Sequence, residues 1–284
     1  YGGQEENGYP SAGYLITYTK DSLKTCGYSV LNSNIGITAS HCVDDAVNIF
    51  LGKGVFSSGT ENKIKVQKAT QKEGWINGKN RNDDFSILNF DGKGFFQEFA
   101  EVASPIEGCH YRVVAYGRTE KPEEDYNKPR KSALLCATEI SPSIFKVTSP
   151  NESSGICFGD SGSPVYFSGT NKVVGVIASI INKIPNNPNP CNFGNTAIVV
   201  RADSNKRLID ENIQAIDPND SISVVDGFTV NVAQETFFEK IGLGSLDNLS
   251  ETQKYTYLLY GTVGLFLIFV LVIIFLIRSK TERY

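Results

Sequence analysis

Short apolar runs separated by turn residues fill the chain from Tyr1 to about Ile213, and they constrain the fold more than any other feature. Examples are Tyr14–Tyr18, Val113–Tyr116 and Val173–Ile177, which clusters of Gly, Asn and Pro interrupt. Such runs are typical of β-strands. No long amphipathic helical pattern occurs before Arg207–Asp210. The pattern predicts an antiparallel all-β body closed by a short helix, either a sandwich or a barrel.

An uncharged, almost wholly apolar segment follows at Tyr257–Ile277. A helix that rises about 1.5 Å per residue would cross the roughly 30 Å hydrocarbon core over this length. Arg278, Lys280 and Arg283 come next, and positive flanks stay in the cytoplasm. We expect a transmembrane helix over 257–277, with the tail 278–284 cytoplasmic. A buried core helix and a cleaved lipid-anchor signal are the alternatives, and the terminal charges argue against the second.

The part before this helix is therefore expected to be extracellular or lumenal, as in a single-pass type I membrane protein. The chain has no methionine, which indicates that an N-terminal segment such as a secretory signal was removed. Sequons at Asn151, Asn219 and Asn248 agree with export and glycosylation. Residues 1–213 are expected to form the globular body and 214–256 a membrane-proximal stalk, in which Val224–Val230 could form a hairpin.

Charge and cysteine content exclude two classes of function. The net charge is only −4, and no block of Lys and Arg alternates with aromatic residues, so a nucleic-acid partner is not expected. The six cysteines form no C-x-x-C pair of a zinc or thioredoxin-like site. Disulfides formed in an oxidising compartment fit this pattern better.

Three short motifs supply the groups that acyl transfer requires, namely a base, a residue that orients it and a nucleophile. They are ITASHC at Ile37–Cys42, NDDFSIL at Asn82–Leu88 and GDSGSP at Gly159–Pro164. Together, and in this chain order, they resemble the His, Asp and Ser motifs of the chymotrypsin/trypsin family of serine proteases. The resemblance covers about residues 1–213 and implies two six-stranded antiparallel β-barrels with the active site between them.

The resemblance assigns a role to each motif residue. His41 would be the general base, Ser161 the nucleophile and Asp84 the group that orients the imidazole, with Asp83 as the fallback. The backbone N–H groups of Gly159 and Ser161 would form the oxyanion hole, which the flanking glycines allow the chain to shape. Ser40 and Ser163 depart from the usual motifs, which have Ala and Gly at these positions. His110 lacks a comparable motif and is given a structural role.

The resemblance also implies the cysteine bridges. Cys26–Cys42 matches the bridge beside the histidine, and Cys157–Cys191 matches the bridge beside the specificity pocket. This leaves Cys109 and Cys136 as the third pair, although the family position that would bridge to Cys109 is occupied by Phe167.

Substrate preference is expected to depend on four residues of the implied specificity pocket. Gly155 and Ile156 match its floor, and Ser179 and Ile180 match its wall, after Ala178. No acid lies at the floor, so cleavage after Lys or Arg is disfavoured, and a small or apolar residue before the scissile bond is expected.

Activation in the family involves a salt bridge between the freed N-terminus and an aspartate, which Asp160 matches here. Tyr1-Gly2-Gly3 resembles the end of the usual Ile-Val-Gly-Gly terminus but begins one residue late. The mature end therefore lies one residue upstream, or activation differs.

The resemblance implies protein or peptide substrates, action as a monomer, and neither metal nor organic cofactor. Two other functions compete with an active protease. One is an inactive protease-like domain used for binding or adhesion. The other is a membrane receptor with an unrelated β-sandwich, in which His41 and Ser161 would have no spatial relation.

Overall fold

The computed structural model describes residues 2–75, 78, 80–119, 128–181, 191–216 and 229–231. The chain divides into two compact units, Tyr1–Val232 and Ala233–Tyr284. The expected transmembrane helix and the cytoplasmic tail lie outside the described residues. Among the residues that are described, we find no helix with the length and apolar character needed to cross a bilayer.

Six antiparallel strands form a first closed barrel, preceded by the short strand β1 (Gln4–Glu5). These strands are β2 (Ala12–Tyr18), β3 (Leu23–Val30), β4 (Ile35–Thr38), β5 (Asn48–Gly52), β6 (Ile64–Gln71) and β7 (Ser86–Phe90). Their order is β6-β5-β2-β3-β4-β7, and pairing of β6 with β7 closes the barrel. Buried side chains such as Leu15, Tyr28, Leu51 and Phe90 fill its interior.

A second barrel follows after β8 (Glu101–Val102), which pairs with it in parallel. Its strands are β9 (Gly108–Ala115), β10 (Lys131–Thr138), β11 (Ile144–Thr148), β12 (Pro164–Phe167), β13 (Lys172–Ile181) and β14 (Thr196–Arg201). Their order is β10-β11-β14-β13-β12-β9, and β9 pairs with β10 to close it. Two six-stranded antiparallel barrels are thus confirmed, and the sandwich alternative is wrong.

A separate cluster of buried apolar side chains joins the two barrels. It combines Ile37 and Ile87 of the first barrel with Val114 and Tyr166 of the second. The predicted short helix is α1 (Lys206–Gln214), which buries Ile209 in this cluster. Burial of one apolar stripe explains why a helix of this length is stable here.

The first compact unit runs to Val232 and includes a short strand after α1. A short strand β15 (Thr229–Asn231) pairs antiparallel with β6, with Thr229 opposite Thr70. Of the expected Val224–Val230 hairpin, only Thr229 and Val230 are described, and they pair with the first barrel.

All three predicted disulfides are confirmed: Cys26–Cys42, Cys109–Cys136 and Cys157–Cys191. The unusual second bridge follows from the strand register, because β9 and β10 are neighbours and pair Leu135 with Tyr111. Phe167, at the usual family position, stacks on the Tyr111 ring at 5.0 Å.

Candidate active site

His41 and Asp84 are brought together by the pairing of two strands. His41 lies in a 3₁₀ turn (Ser40–Cys42) directly after β4, and Asp84 lies just before β7. Because Thr38 pairs with Ser86, the end of β4 and the start of β7 share one edge of the barrel. His41 Nδ1 is 2.7 Å from Asp84 Oδ2, and the His41 backbone N–H donates to Asp84 Oδ1 at 2.9 Å.

This geometry prepares the imidazole to act as a base. Asp84 is only 2% exposed, and an ionised carboxylate can only accept hydrogen bonds, so Nδ1 carries the proton. His41 Nε2 is then left to take a proton from a nucleophile. The side chain of His41 remains 34% exposed and can meet a substrate.

Asp83, the fallback, contacts other groups. Its carboxylate forms an ion pair with Lys72 at 2.6 Å and accepts a hydrogen bond from Asn80. The acid on the imidazole is therefore Asp84, as the motif match indicated.

A set of hydrogen bonds that the sequence reasoning missed fixes the histidine turn. The Ser40 hydroxyl donates to the Phe85 carbonyl at 2.8 Å. Gln71 Nε2 donates to the Ser40 carbonyl at 3.1 Å and to Asp44 Oδ1 at 2.6 Å. Trp75 Nε1 donates to the same Asp44 oxygen at 3.0 Å. We call Ser40, Asp44, Gln71 and Trp75 the histidine clamp. The only signal for it in the sequence was the departure at Ser40.

The turn that carries Ser161 packs on the strands that lead to the histidine. The Ser161 carbonyl accepts from the Gly27 N–H at 2.7 Å. A Cβ on Gly162, which has φ +73°, would lie 2.2 Å from Thr38 Oγ1 and 2.6 Å from the Gly27 carbonyl. Only glycine permits this approach. Gly27 adjoins Cys26, whose disulfide to Cys42 ties the serine turn to the residue after His41.

Within the described residues, the Ser161 hydroxyl and the imidazole of His41 make no hydrogen bond. Catalytic hydrogen bonds are often long without substrate and tighten in the substrate complex. The packing of Gly162 on Thr38, three residues before His41, places the two motifs side by side. The receptor alternative, with no spatial relation between these motifs, is not supported.

The expected oxyanion donors lie in the same turn. Gly159 has φ +92°, a conformation that favours glycine. In the described part of the chain, the backbone N–H groups of Gly159 and Ser161 donate to no protein acceptor. They are therefore available to an incoming carbonyl oxygen.

Asp160 is buried beneath this turn, with 4% of its surface exposed. Its Oδ1 accepts from the Gly117 N–H at 2.7 Å, and its Oδ2 accepts from the Cys157 N–H at 2.8 Å. Burial raises the pKa of this carboxyl group, while the two backbone donors favour the ionised form. Gly3 lines a small cavity with Asp160. The expected partner, the α-amino group of Tyr1, lies outside the described residues.

The residues assigned to the pocket floor lie close together and carry no charge. Gly155 approaches the Asn192 carbonyl so closely that a Cβ would lie 2.1 Å from it. Ile156 is buried and donates its N–H to Asn195 Oδ1 at 2.8 Å, while Asn195 Nδ2 donates to the Ile156 carbonyl at 2.6 Å. Asn195, which no motif indicated, thus holds the floor in place.

The residues assigned to the pocket wall lie at the end of β13. Ser179 and Ile180 are partly exposed, and the pairing register with β14 shifts between Ile177 and Ser179. Among the described residues, the buried Ser179 hydroxyl has no hydrogen-bond partner.

His110 is exposed, and its ring lies near the Tyr111 ring.

Cys26, His41 and Cys42 are close enough together to be considered as metal ligands. Both cysteines are oxidised in one disulfide, however, and offer no thiolate to a metal.

Known proteins that are similar to this chain agree with the two-barrel fold. A sequence model described as Trypsin matches residues 2–199. No curated protein matches the chain. A solved HL collagenase has a TM-score of 0.61 at 20% identity, over 75% of this chain and 97% of its own.

Two further structures show the range of the fold. Neuropsin, a serine protease expressed in the limbic system of mouse brain, has a TM-score of 0.60 at 17% identity, over 74% of this chain and 98% of its own. A scabies mite inactivated protease paralogue has a TM-score of 0.59 at 19% identity, over 75% of this chain and 99% of its own. At these identities the likeness shows the fold alone.

Proposed function

The chain belongs to the trypsin family, and on this premise we propose that it is a serine endopeptidase that hydrolyses peptide bonds through Ser161, His41 and Asp84. The observation that carries the proposal is the hydrogen bond between His41 Nδ1 and the buried carboxylate of Asp84, next to the serine turn. A structural histidine has no need for this arrangement. An imidazole held in this tautomer presents a basic Nε2 toward the substrate cleft.

In the proposed mechanism each of these residues has one role. Ser161 Oγ attacks the peptide carbonyl while His41 Nε2 takes its proton, and Asp84 stabilises the imidazolium that forms. The N–H groups of Gly159 and Ser161 donate to the oxyanion. His41 then gives the proton to the leaving amine, and water hydrolyses the acyl-enzyme with the same histidine as base.

We propose that the residue before the scissile bond is small or apolar. Gly155 and Ile156, which are assigned to the floor, carry no charge, the neutral amide of Asn195 is bonded to the Ile156 backbone, and the wall strand carries Ile180. None of these groups would compensate a Lys or Arg side chain.

Covalent labelling of Ser161 tests the activity directly. We expect a fluorophosphonate probe to label the full-length wild-type chain and not Ser161→Ala, because only an activated serine attacks phosphorus at a useful rate. A folded, processed wild type that stays unlabelled would contradict the proposal and favour the inactive binding or adhesion module.

We propose further that the protein acts as a monomer anchored by 257–277, with its catalytic unit extracellular or lumenal and glycosylated at one or more of Asn151, Asn219 and Asn248. The uncharged apolar segment and its positive flank support this topology. Membrane fractions of expressing cells should retain the protein after alkaline carbonate, and glycosidase should increase its mobility on gels. Release into the soluble fraction by carbonate would contradict the anchor.

A further inference from the structure

A groove borders the oxyanion turn at Gly159, and its described lining includes none of the residues assigned to the specificity pocket. It encloses about 450 Å³, and Gly159 forms one of its walls. Other lining residues are Leu23, Phe56, Arg118, Lys128 and Phe158. We call it the leaving-side groove, for the reason given next.

The position of this groove relative to Ser161 indicates which part of a substrate it receives. Leu23 lies on β3, the strand that contains Cys26, which is bridged to Cys42 beside His41. Ile156 and Ile180, which are assigned to the pocket for the residue before the scissile bond, are not among the described residues that line this groove. We infer that a peptide whose carbonyl lies at the Gly159 N–H continues, after the scissile bond, into the leaving-side groove.

Two cations and exposed apolar side chains define the chemistry of the groove. The Arg118 guanidinium lies 5.7 Å from the centre of the Phe158 ring, and Phe158 is 51% exposed. Lys128 Nζ lies 5.6 Å from the Phe56 ring and donates to the Gly117 carbonyl at 3.2 Å. No acidic side chain is found among the described residues that line the groove.

Arg118 is placed to bind a carboxylate. A guanidinium that lies over an aromatic ring at this distance keeps N–H groups available, and they match a carboxylate in a bidentate geometry. Arg118 is exposed, whereas Lys128 is buried.

We propose that the leaving-side groove selects substrates with an acidic side chain at the first or second residue after the scissile bond, and that Arg118 is its specificity-determining residue. This inference rests on the proposed protease function.

Matched peptides test the preference. The full-length protein in detergent would first be profiled with a peptide library to find one cleaved sequence. Quenched-fluorescence versions of that peptide would then carry Glu, Gln or Lys at the first or the second position after the bond. We expect kcat/KM for Glu to exceed that for Lys about tenfold at one of these positions, because an exposed pair contributes modestly and Lys adds repulsion. The ratio should fall at high salt.

Charge reversal at Arg118 separates this groove from general electrostatics. Arg118→Glu should bring the Glu-to-Lys ratio of kcat/KM to about one or below. Lys172→Glu, the same change of charge at the exposed start of β13, should leave the ratio unchanged. A wild-type ratio near one at both positions, or equal effects of the two variants, would overturn the inference.

Fluorophosphonate labelling distinguishes the two proposals, since the probe carries no residues after the scissile bond. If the probe labels both the wild type and Arg118→Glu, but the wild type shows no preference for the Glu peptide, the proposed role of the groove is overturned. The proposed protease function then still stands. A folded wild type that is not labelled would overturn both.

Discussion

The histidine side and the serine side of the site are held in different ways. On the histidine side, side chains bond to one another and to backbone: Asp84 holds both the ring and the backbone N–H of His41, and the histidine clamp holds the turn. On the serine side, backbone groups bond around glycines and the buried Asp160.

The difference follows from what each half must present. The histidine must keep one ring orientation and one tautomer, which side-chain acceptors can impose. The serine turn must leave two backbone donors available to an oxyanion, so its own hydrogen bonds have to be made elsewhere, by the Ser161 carbonyl and the Asp160 carboxylate. We therefore expect substitutions on the two sides to change activity and stability in different ways.

The largest effect is expected at Asp84. Asp84→Asn should lower kcat/KM on the order of 10⁴-fold with little change in fold, because an amide can donate to Nδ1 and stabilise the wrong tautomer. Steady-state kinetics on a peptide substrate and circular dichroism measure the two effects. Asp83→Asn is the matched control, since Asp83 contacts Lys72 and not the imidazole. Equal losses in the two variants would show that charge near the site matters and orientation of the ring does not.

Asp160→Asn tests the serine side and should lower kcat/KM roughly 10²- to 10³-fold, as loss of an oxyanion donor does. An amide can accept from only one of Gly117 and Cys157, so the turn with Gly159 is no longer fully supported. Titration with the fluorophosphonate probe and kinetics measure this loss. Activity within threefold of wild type would show that the turn is stable without this carboxylate.

The same variant has a predicted pH signature in stability. Burial raises the pKa of Asp160, so the folded protein holds this proton to a higher pH than the unfolded chain, whose value is about 3.9. Asp160 therefore makes the free energy of unfolding fall as the pH rises from about 3.9 through the raised pKa. Urea unfolding across this interval should show a smaller fall for Asp160→Asn. A steeper fall in the variant would contradict the sign.

Gly27→Ala tests the contact between the two sides. A Cβ there would lie 2.1 Å from Ser163 Oγ and 2.6 Å from Ser163 Cα, so Ser163, the departure from the usual glycine, leaves no room. We expect a loss of about 1–3 kcal/mol in the free energy of unfolding, together with reduced labelling of Ser161. Gly59→Ala, in open space, is the control and should stay within about 0.5 kcal/mol. Similar denaturation midpoints for both variants would contradict close packing here.

The smallest effect is expected at Ser40, where Ser40→Ala restores the residue usual in the family. The change removes the hydrogen bond to the Phe85 carbonyl and the 2.9 Å contact with the Ser86 hydroxyl. Stability should fall by about 1 kcal/mol, with kcat/KM reduced less than fivefold. Thermal unfolding detects the loss, and Ser58→Ala on the surface is the reference. An unchanged or higher melting temperature would show that the clamp does not depend on this hydroxyl.

Local patterns in the sequence were sufficient for several features. Alternating short apolar runs and turn residues predicted antiparallel strands, since period and turn chemistry are properties of neighbouring residues. The motif around His41, the motif around Ser161 and the cysteine positions supported the family, two barrels and all three bridges. Each of these is written in a few consecutive residues or in a spacing that a family comparison can match.

Tertiary structure alone decided how those pieces meet. It paired β6 with β7 and β9 with β10, and it placed Gln71 and Trp75 on Asp44, three residues after His41. It also paired Asn195 with Ile156 and fitted Ser163 against Gly27. These partners are far apart in the chain, and a hydrogen bond or a close contact between distant residues has no period or local motif. Only the register of the paired strands, which the packing of both barrels sets, determines which side chains face each other.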